Sequence, residues 1–240
     1  MNKVALVTGS SKGLGFQIAK ELASIGYKII LTGRSKESLS LVHSKLINPE
    51  KHIIFSGDLL EKENLKKLCA IPYMPDVIIH CLGGKVEGDE QPIQSEILIK
   101  SVALNLGVAV ALNSYYLPLM QKEGKGRIIH ISSDASETGR SAPGYAAAKA
   151  AINAYVKSTA RFYAKNNIMI CSVLPGIFLY SDSPWDKKRI SNLEYFEARM
   201  KEQPLGRFLS TEEISEMIVK IADSDCMAYS GSLIKLAGAE

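Results

Sequence analysis

Short apolar runs alternate along the chain with longer stretches in which apolar residues recur at helical spacing. The runs fall at residues 4–7, 28–32, 52–56, 76–82, 126–133, 168–174 and 232–236, and they predict strands. The amphipathic stretches fall at residues 16–25, 36–46, 61–69, 93–122, 145–165, 193–200 and 211–222, and they predict helices. Gly26, Pro72, Pro75 and Pro175-Gly176 punctuate the series. The strands are unbroken apolar runs, as for a parallel sheet covered on both faces. There is no internal repeat and no linker. The expectation is one α/β domain over residues 1–240, doubly wound, with a parallel sheet of about seven strands and helices on both faces. Residues 178–204 carry little pattern before 193, which suits a lid over a substrate.

The turn between the first strand and first helix reads Thr8-Gly9-Ser10-Ser11-Lys12-Gly13-Leu14-Gly15. Strand, glycine-rich turn and helix make the Rossmann-type context in which such a turn cradles a dinucleotide. Gly9 permits the tight turn, Gly13 lets a pyrophosphate approach the backbone, and Gly15 lets the helix pack on the strand. Helix N–H groups then face the phosphates. The second strand ends in Gly33-Arg34-Ser35, where the adenosine ribose lies in such folds. A carboxylate there binds the 2′-hydroxyl, but Gly33 holds that place, with Arg34 beside it and Lys12 in the facing turn. Two cations and no carboxylate favour NADP(H) over NAD. Asp58, followed by Leu59, is positioned either to accept from the adenine amino group or to cap the helix near Glu61.

Composition adds mainly exclusions. The chain is 46% hydrophobic, with a net charge of +4 that is not gathered into a stripe, so no nucleic-acid partner is expected. No apolar run of transmembrane length stands out, and the first residues read as a strand instead of a signal peptide, so no membrane partner is expected. Cys69, Cys81, Cys171 and Cys226 are scattered, as for reduced, buried thiols in a cytoplasmic protein. The four histidines lack metal-ligand spacing, so no metal is expected.

Tyr145-Ala-Ala-Ala-Lys149 puts a phenol and an ammonium one helical turn apart. A nearby ammonium favours the phenolate and draws its pKa toward neutrality. The pair follows a strand that ends in Ser132-Ser133. Asn105, inside an apolar helix, needs a partner for its amide unless it faces solvent.

Together, the Thr8–Gly15 turn, Asp58-Leu59, Asn105, Ile131-Ser132-Ser133, the Tyr145–Lys149 pair, Pro175-Gly176 and the late Pro204-Leu205-Gly206-Arg207 resemble the short-chain dehydrogenase/reductase family over nearly the whole chain. The resemblance implies that Tyr145 exchanges a proton with the substrate oxygen and that Lys149 holds the nicotinamide ribose and lowers the phenol's pKa. It implies that Ser133 orients the substrate oxygen and that Asn105 holds a water linking Lys149 to solvent. Ser133 is preferred as the second of its pair, although the usual distance to the tyrosine fits Ser132. Gly83, Pro175, Gly176 and Ile177 are implied on the cofactor, as are Ser11, Leu14, Ser35, Asp58 and Leu59. The family also implies a homotetramer or homodimer.

Three departures stand out. His80-Cys81-Leu82-Gly83 replaces Asn-Asn-Ala-Gly, which loses an asparagine that braces the sheet. Tyr180 takes the place of a threonine that contacts the nicotinamide amide. The C-terminal Asp-Gly-Gly appears as Ala237-Gly238-Ala239. The polar residues of 134–144 and 179–204, including Asp182, Trp185, Asp186 and Lys187–Arg189, favour a small polar carbonyl or alcohol substrate, a sugar or sugar phosphate. A 3-oxoacyl-carrier-protein reductase is the alternative substrate reading. A non-catalytic NADP-binding regulator is the alternative of another class.

Overall fold

Among the described residues, seven parallel strands form the sheet because each is apolar on both faces and needs a layer on either side. The structure is a computed structural model that describes residues 3–239. The ends of the expected 1–240 domain, Met1, Asn2 and Glu240, lie outside the described residues. The strands are β1 (Val4–Thr8), β2 (Lys28–Gly33), β3 (Ile53–Ser56), β4 (Val77–His80), β5 (Gly126–Ile131), β6 (Ile168–Pro175) and β9 (Leu233–Leu236). They lie in the order β3-β2-β1-β4-β5-β6-β9. The chain builds outward from β1 to β3, then returns to place β4 on the other side of β1. That reversal opens a crevice at the carboxyl ends of β1 and β4, the place where doubly wound sheets bind ligands.

Side-chain alternation assigns the two layers. Ala5, Val7, Ile29 and Leu31 face a core completed by α1 (Gly13–Ser24), α2 (Lys36–His43) and α10 (Thr211–Asp223). Leu6, Ile30, Ile78 and Ile128 face the opposite core, with α3 (Lys62–Cys69), α5 (Val108–Glu123) and α7 (Pro143–Tyr163). The predicted sheet and alternation are therefore present. His52 falls outside β3 and uses its Nδ1 to accept from the Ile29 N–H at 3.1 Å.

Three expectations need correction. Residues 178–204 are more regular than their pattern indicated. They hold β7 (Phe178–Leu179), α8 (Pro184–Ser191) and α9 (Leu193–Lys201), and β7 pairs with β8 (Leu209–Ser210). Ser183 caps α8 by accepting from the Asp186 N–H at 2.9 Å, and Asn192 caps α9 through the Tyr195 N–H at 3.1 Å. Polar capping starts these helices where hydrophobic periodicity is weak. Second, Cys226 is exposed, so the four free thiols are not uniformly buried. Third, α4 (Ser95–Val102), a π-helical turn (Ala103–Gly107) and α5 form one helical stretch, long and apolar enough to cross a membrane by length and composition. Its inner face, including Leu112, Tyr116 and Met120, is spent on the sheet.

The sheet brace attributed to a missing asparagine is supplied by other groups. The Thr8 hydroxyl accepts from the Cys81 and Leu82 N–H groups at 3.0 and 3.1 Å, which ties β1 to the turn after β4. His80 and His130 are register partners on β4 and β5. Asn113 of α5 bridges them, 2.8 Å from His80 Nε2 and 3.3 Å from His130 Nε2. Both rings are buried, and burial lowers the His80 pKa to about 4 and that of His130 well below its usual value. The unfolded chain therefore takes up protons first as pH falls. The stability held by neutral His80 is complete above about pH 6.5 and drains toward pH 4, by roughly 1.4 kcal/mol per pH unit for each such histidine. Melting temperatures between pH 7 and pH 4.5 are expected to fall steeply, and His80→Gln should flatten the decline. A wild-type profile flat over that range would contradict this account.

Candidate active site

The cofactor cradle follows from close backbone approach. Gly9 has φ of +67°, and a Cβ there would meet Leu82 Cα at 3.0 Å. The turns after β1 and β4 thus touch across the crevice. A Cβ on Gly15 would collide with the Gly9 carbonyl oxygen, so only glycine lets α1 start this close to its strand. Helix α1 opens with no side-chain cap and no acid in its first turn, which leaves its N–H groups for an anion. At the end of β2, a Cβ on Gly33 would meet Ser11 Cβ at 3.0 Å, so the two turns meet with no room for a carboxylate there. Arg34 and Lys12 are both exposed at this junction. These features fit a phosphorylated dinucleotide. Leu14 and Leu59 are buried and offer only backbone to a ligand.

Ser35 and Asp58 both bond to local backbone at this end. Ser35 caps α2, accepting from the Ser38 N–H at 3.1 Å. Asp58 accepts from the Leu60 N–H at 3.0 Å, while Glu61 occupies the N-cap of α3. The alternative in which Asp58 caps that helix therefore does not hold.

Beyond the crevice, four side chains converge. Lys149 is 4% exposed on α7, and its Nζ donates to the Ile131 carbonyl at 2.7 Å. Burial lowers its pKa to about 8. Its Nζ lies 5.5 Å from the centre of the Tyr145 ring. Burial raises the Tyr145 phenol to about 12, against a hydrogen bond from Ser133 that lowers it. Without cofactor the phenol is thus a protonated acid, and proximity to Lys149 alone does not bring it toward neutrality. The two serines separate: Ser132 Oγ donates to the Lys149 carbonyl at 3.0 Å, and Ser133 lies beside Tyr145. Asn105 is buried in the π-helical turn. Its Nδ2 donates to the Gly84 and Ser101 carbonyls at 3.0 and 2.9 Å, and its Oδ1 accepts from the Gly84 N–H at 2.9 Å. The amide is therefore not solvent-facing.

Gly83 is where Asn105 and Lys149 meet. A Cβ there would lie 2.5 Å from Asn105 Oδ1 and 3.2 Å from Lys149 Nζ. Pro175 and Gly176 close the far wall, held by the Asp134 N–H on the Pro175 carbonyl and by the Gly176 N–H on the Leu236 carbonyl, each at 2.9 Å. Ile177 lines the adjoining cavity.

A family model described as short chain dehydrogenase matches residues 3–189. A 3-oxoacyl-[acyl-carrier-protein] reductase of Aquifex aeolicus is 30% identical, the match covering 98% of this chain and 96% of that protein. The chain belongs to the short-chain dehydrogenase family. Two solved structures are similar throughout. A 3-oxoacyl (acyl-carrier-protein) reductase from Agrobacterium tumefaciens C58 with NADP bound has a TM-score of 0.90 at 27% identity, over 99% of this chain and 94% of that one. An L-sorbose reductase from Gluconobacter frateurii, complexed with NADPH and L-sorbose, has a TM-score of 0.89 at 26% identity, over 99% and 96%. This dehydrogenase is thus an oxidoreductase of CH–OH and C=O groups.

The dehydrogenase has a cavity of about 910 Å³ at this end. Ser133 and Tyr145 stand in its wall with Gly83, Gly84 and Pro175–Ile177. Arg140, Ser141, Trp185 and Lys188, all expected from the sequence near the substrate, also line it. Ser136 turns away and donates to the Ser133 carbonyl, and Asp186 is spent on Arg189 at 2.8 Å. Trp185 stacks on Tyr195 at 6.1 Å and meets Phe208 at 5.1 Å, so it joins α8 to α9 while presenting to the cavity. Tyr180 stands between the two sites. It lines the cavity, and its ring lies so close to Gly13 that a Cβ there would meet it at 2.7 Å.

One residue was not legible. Asp89 is fully buried, and its carboxylate accepts from the Gly144 and Tyr145 N–H groups at 2.7 and 2.8 Å. It caps the helix that carries Tyr145 and Lys149, where Ala142 at the N-cap has no polar side chain to do so. Asp89 lies in an irregular stretch, 55 residues from Gly144, and no local pattern joins them.

Proposed function

We propose that the chain is an NADP(H)-dependent reductase of a small polar carbonyl compound, reversible as an alcohol dehydrogenase. The observation that carries this reading is the meeting of Ser133, Tyr145 and Lys149 at one end of a cavity that opens beside the glycine cradle. The bound nicotinamide supplies the hydride in reduction and takes it in oxidation. Ser133 and Tyr145 hydrogen-bond the carbonyl oxygen and fix its position. As charge develops on that oxygen, the Tyr145 hydroxyl transfers its proton to it. The phenolate left behind is stabilised by the positive charge of Lys149. Lys149 is itself oriented by Ile131, and Asn105 holds the Gly84 backbone next to it. The two relatives described as NADP- or NADPH-bound support the choice of cofactor.

The test follows NADPH oxidation over ketosugars, simple ketones and 3-oxoacyl thioesters. Turnover of ketosugars supports the reading. Preference for the thioesters supports the 3-oxoacyl-carrier-protein reductase alternative, which the Aquifex relative favours. Tight NADPH binding with no turnover anywhere leaves the regulator.

Two further predictions attach to this reading. Arg34→Ala is expected to raise the NADPH KM by ~10-fold or more and to change the NADH KM little, because one charge-assisted contact to the 2′-phosphate is lost. Equal losses for both cofactors would remove Arg34 from the 2′-phosphate. Charged Lys149 is needed at the site and its pKa is held near about 8 by burial. Reduction should therefore fall as pH rises through 8, since Lys149 then loses its proton. A kcat profile flat to pH 10 would count against that role.

Helices α4, α5 and α7 support a homotetramer or homodimer. Ile99, Tyr115, Leu119 and Phe162 are exposed on them at 66, 45, 39 and 63%. A second copy covering these helices would remove that apolar surface from water. Free thiols suit a cytoplasmic location.

A further inference from the structure

Building on the reductase reading, we propose that the substrate carries an anionic group, a phosphate or a carboxylate, held by Arg140 and Lys188. Among the described residues, four cations line the cavity, Lys85, Arg140, Lys188 and Arg199, against one acid, Asp134. Asp134 is directed to the catalytic end, where it accepts the Ser133 hydroxyl at 3.1 Å. Lys85 lies 3.7 Å from Glu90, and Arg199 is paired with Glu202. Among the described residues, Arg140 and Lys188 have no carboxylate partner within 4.0 Å.

These two cations come from different elements. Arg140 stands in the stretch between α6 (Ala135–Thr138) and α7, and Lys188 stands on α8. The run Lys187-Lys188-Arg189 is divided by its surroundings. Arg189 is committed to Asp186, whereas Lys188 borders the cavity with its Nζ 5.8 Å from the Tyr195 ring. The fold thus brings two uncompensated charges to one concave surface walled by Trp185, Tyr195 and Phe178. A cleft of one sign with low-dielectric walls focuses its field on whatever enters. The phosphates of a dinucleotide do not account for these charges, because their cradle and its cations, Lys12 and Arg34, lie at the ends of β1 and β2. A neutral ketose gains little from a guanidinium and an ammonium, whereas a phosphate or carboxylate gains charge-assisted hydrogen bonds from both. The aromatic walls then cover the carbon skeleton between the anion and the carbonyl.

The only tryptophan in the chain is Trp185, so intrinsic fluorescence reports on this cavity without requiring turnover. The enzyme with NADP⁺ is titrated with fructose, fructose 6-phosphate and 5-ketogluconate. At least one anion is expected to bind 10-fold or more tightly than fructose at low salt, with the difference shrinking as salt is added. Preference for the phosphate or for the carboxylate identifies the group. The double variant Arg140→Gln/Lys188→Gln is expected to bring the affinities together. Equal binding of fructose and both anions, a preference that survives in the double variant, or no saturable change with either anion would overturn the proposal. NADPH oxidation, followed with the same compounds, separates this idea from the one beneath it. Anion-selective binding without reduction of any ketone strikes the reductase reading and leaves the anion site standing. Reduction of fructose as efficient as that of both anions strikes the anion site and leaves the reductase standing.

Discussion

Tyr145→Phe is expected to lower kcat for reduction by about 100- to 10,000-fold, the range spanned by loss of a positioned general acid. NADPH binding should be retained. The change removes one oxygen and keeps the ring that α7 packs into place. Burial holds the phenol at about 12, so at pH 7 it carries the proton that the reaction uses. Ser133 cannot replace it as the donor, because an aliphatic hydroxyl is a weaker acid than a phenol. The result also distinguishes chemistry from structure, since cofactor binding and the melting temperature should match the parent. Activity within threefold of the parent would mean that another group supplies the proton.

Gly83→Ala is the second large effect, and it acts through geometry instead of proton chemistry. The new methyl would lie 2.5 Å from Asn105 Oδ1 and 3.2 Å from Lys149 Nζ. Asn105 cannot easily yield, because its amide is bonded on both sides to the Gly84 backbone and to Ser101. Lys149 is buried and committed to Ile131 at 2.7 Å. The methyl must therefore displace the ammonium, the amide or the turn itself. A displacement of about 1 Å near reacting groups costs ~100-fold in rate, so a loss of that order in kcat is expected with the circular dichroism spectrum unchanged. Full activity would show that the turn relaxes without moving Lys149. An unfolded variant would be recognised by its spectrum, and Gly83→Ser would then be no more informative. In that case the ammonium's position is tested instead by Lys149→Arg, which keeps the charge and moves it.

Much of the site was legible because its signals are local. The glycine turn after β1, the pair Tyr145 and Lys149, and the serines ending β5 each depend on residues close in sequence, and strand-helix alternation orders them. What escaped depended on contacts across the fold. Asp89 caps α7 from another part of the chain, so neither its own sequence nor that of the helix reveals it. The brace expected from an asparagine came from Thr8 and the His80–Asn113–His130 network, which joins three elements. Helix α8 was hidden because its residues are largely charged and its start depends on Ser183. Asp58 was open to two readings from the sequence, and only the register of its turn excluded the cap.

The sequence by itself determined the sheet, its alternating layers, the glycine-rich turn and the type of reaction. Those follow from hydrophobic periodicity, from the need for glycine at crowded or left-handed positions, and, for the reaction, from the resemblance to the short-chain dehydrogenase/reductase family. The tertiary structure decided which serine lies against Tyr145, what holds Asn105, and which cations face the cavity. Side chains settle those points by taking particular partners: Ser132 is taken by the Lys149 carbonyl, Arg189 by Asp186, and among the described residues Arg140 and Lys188 are left facing the cavity with no carboxylate within 4.0 Å.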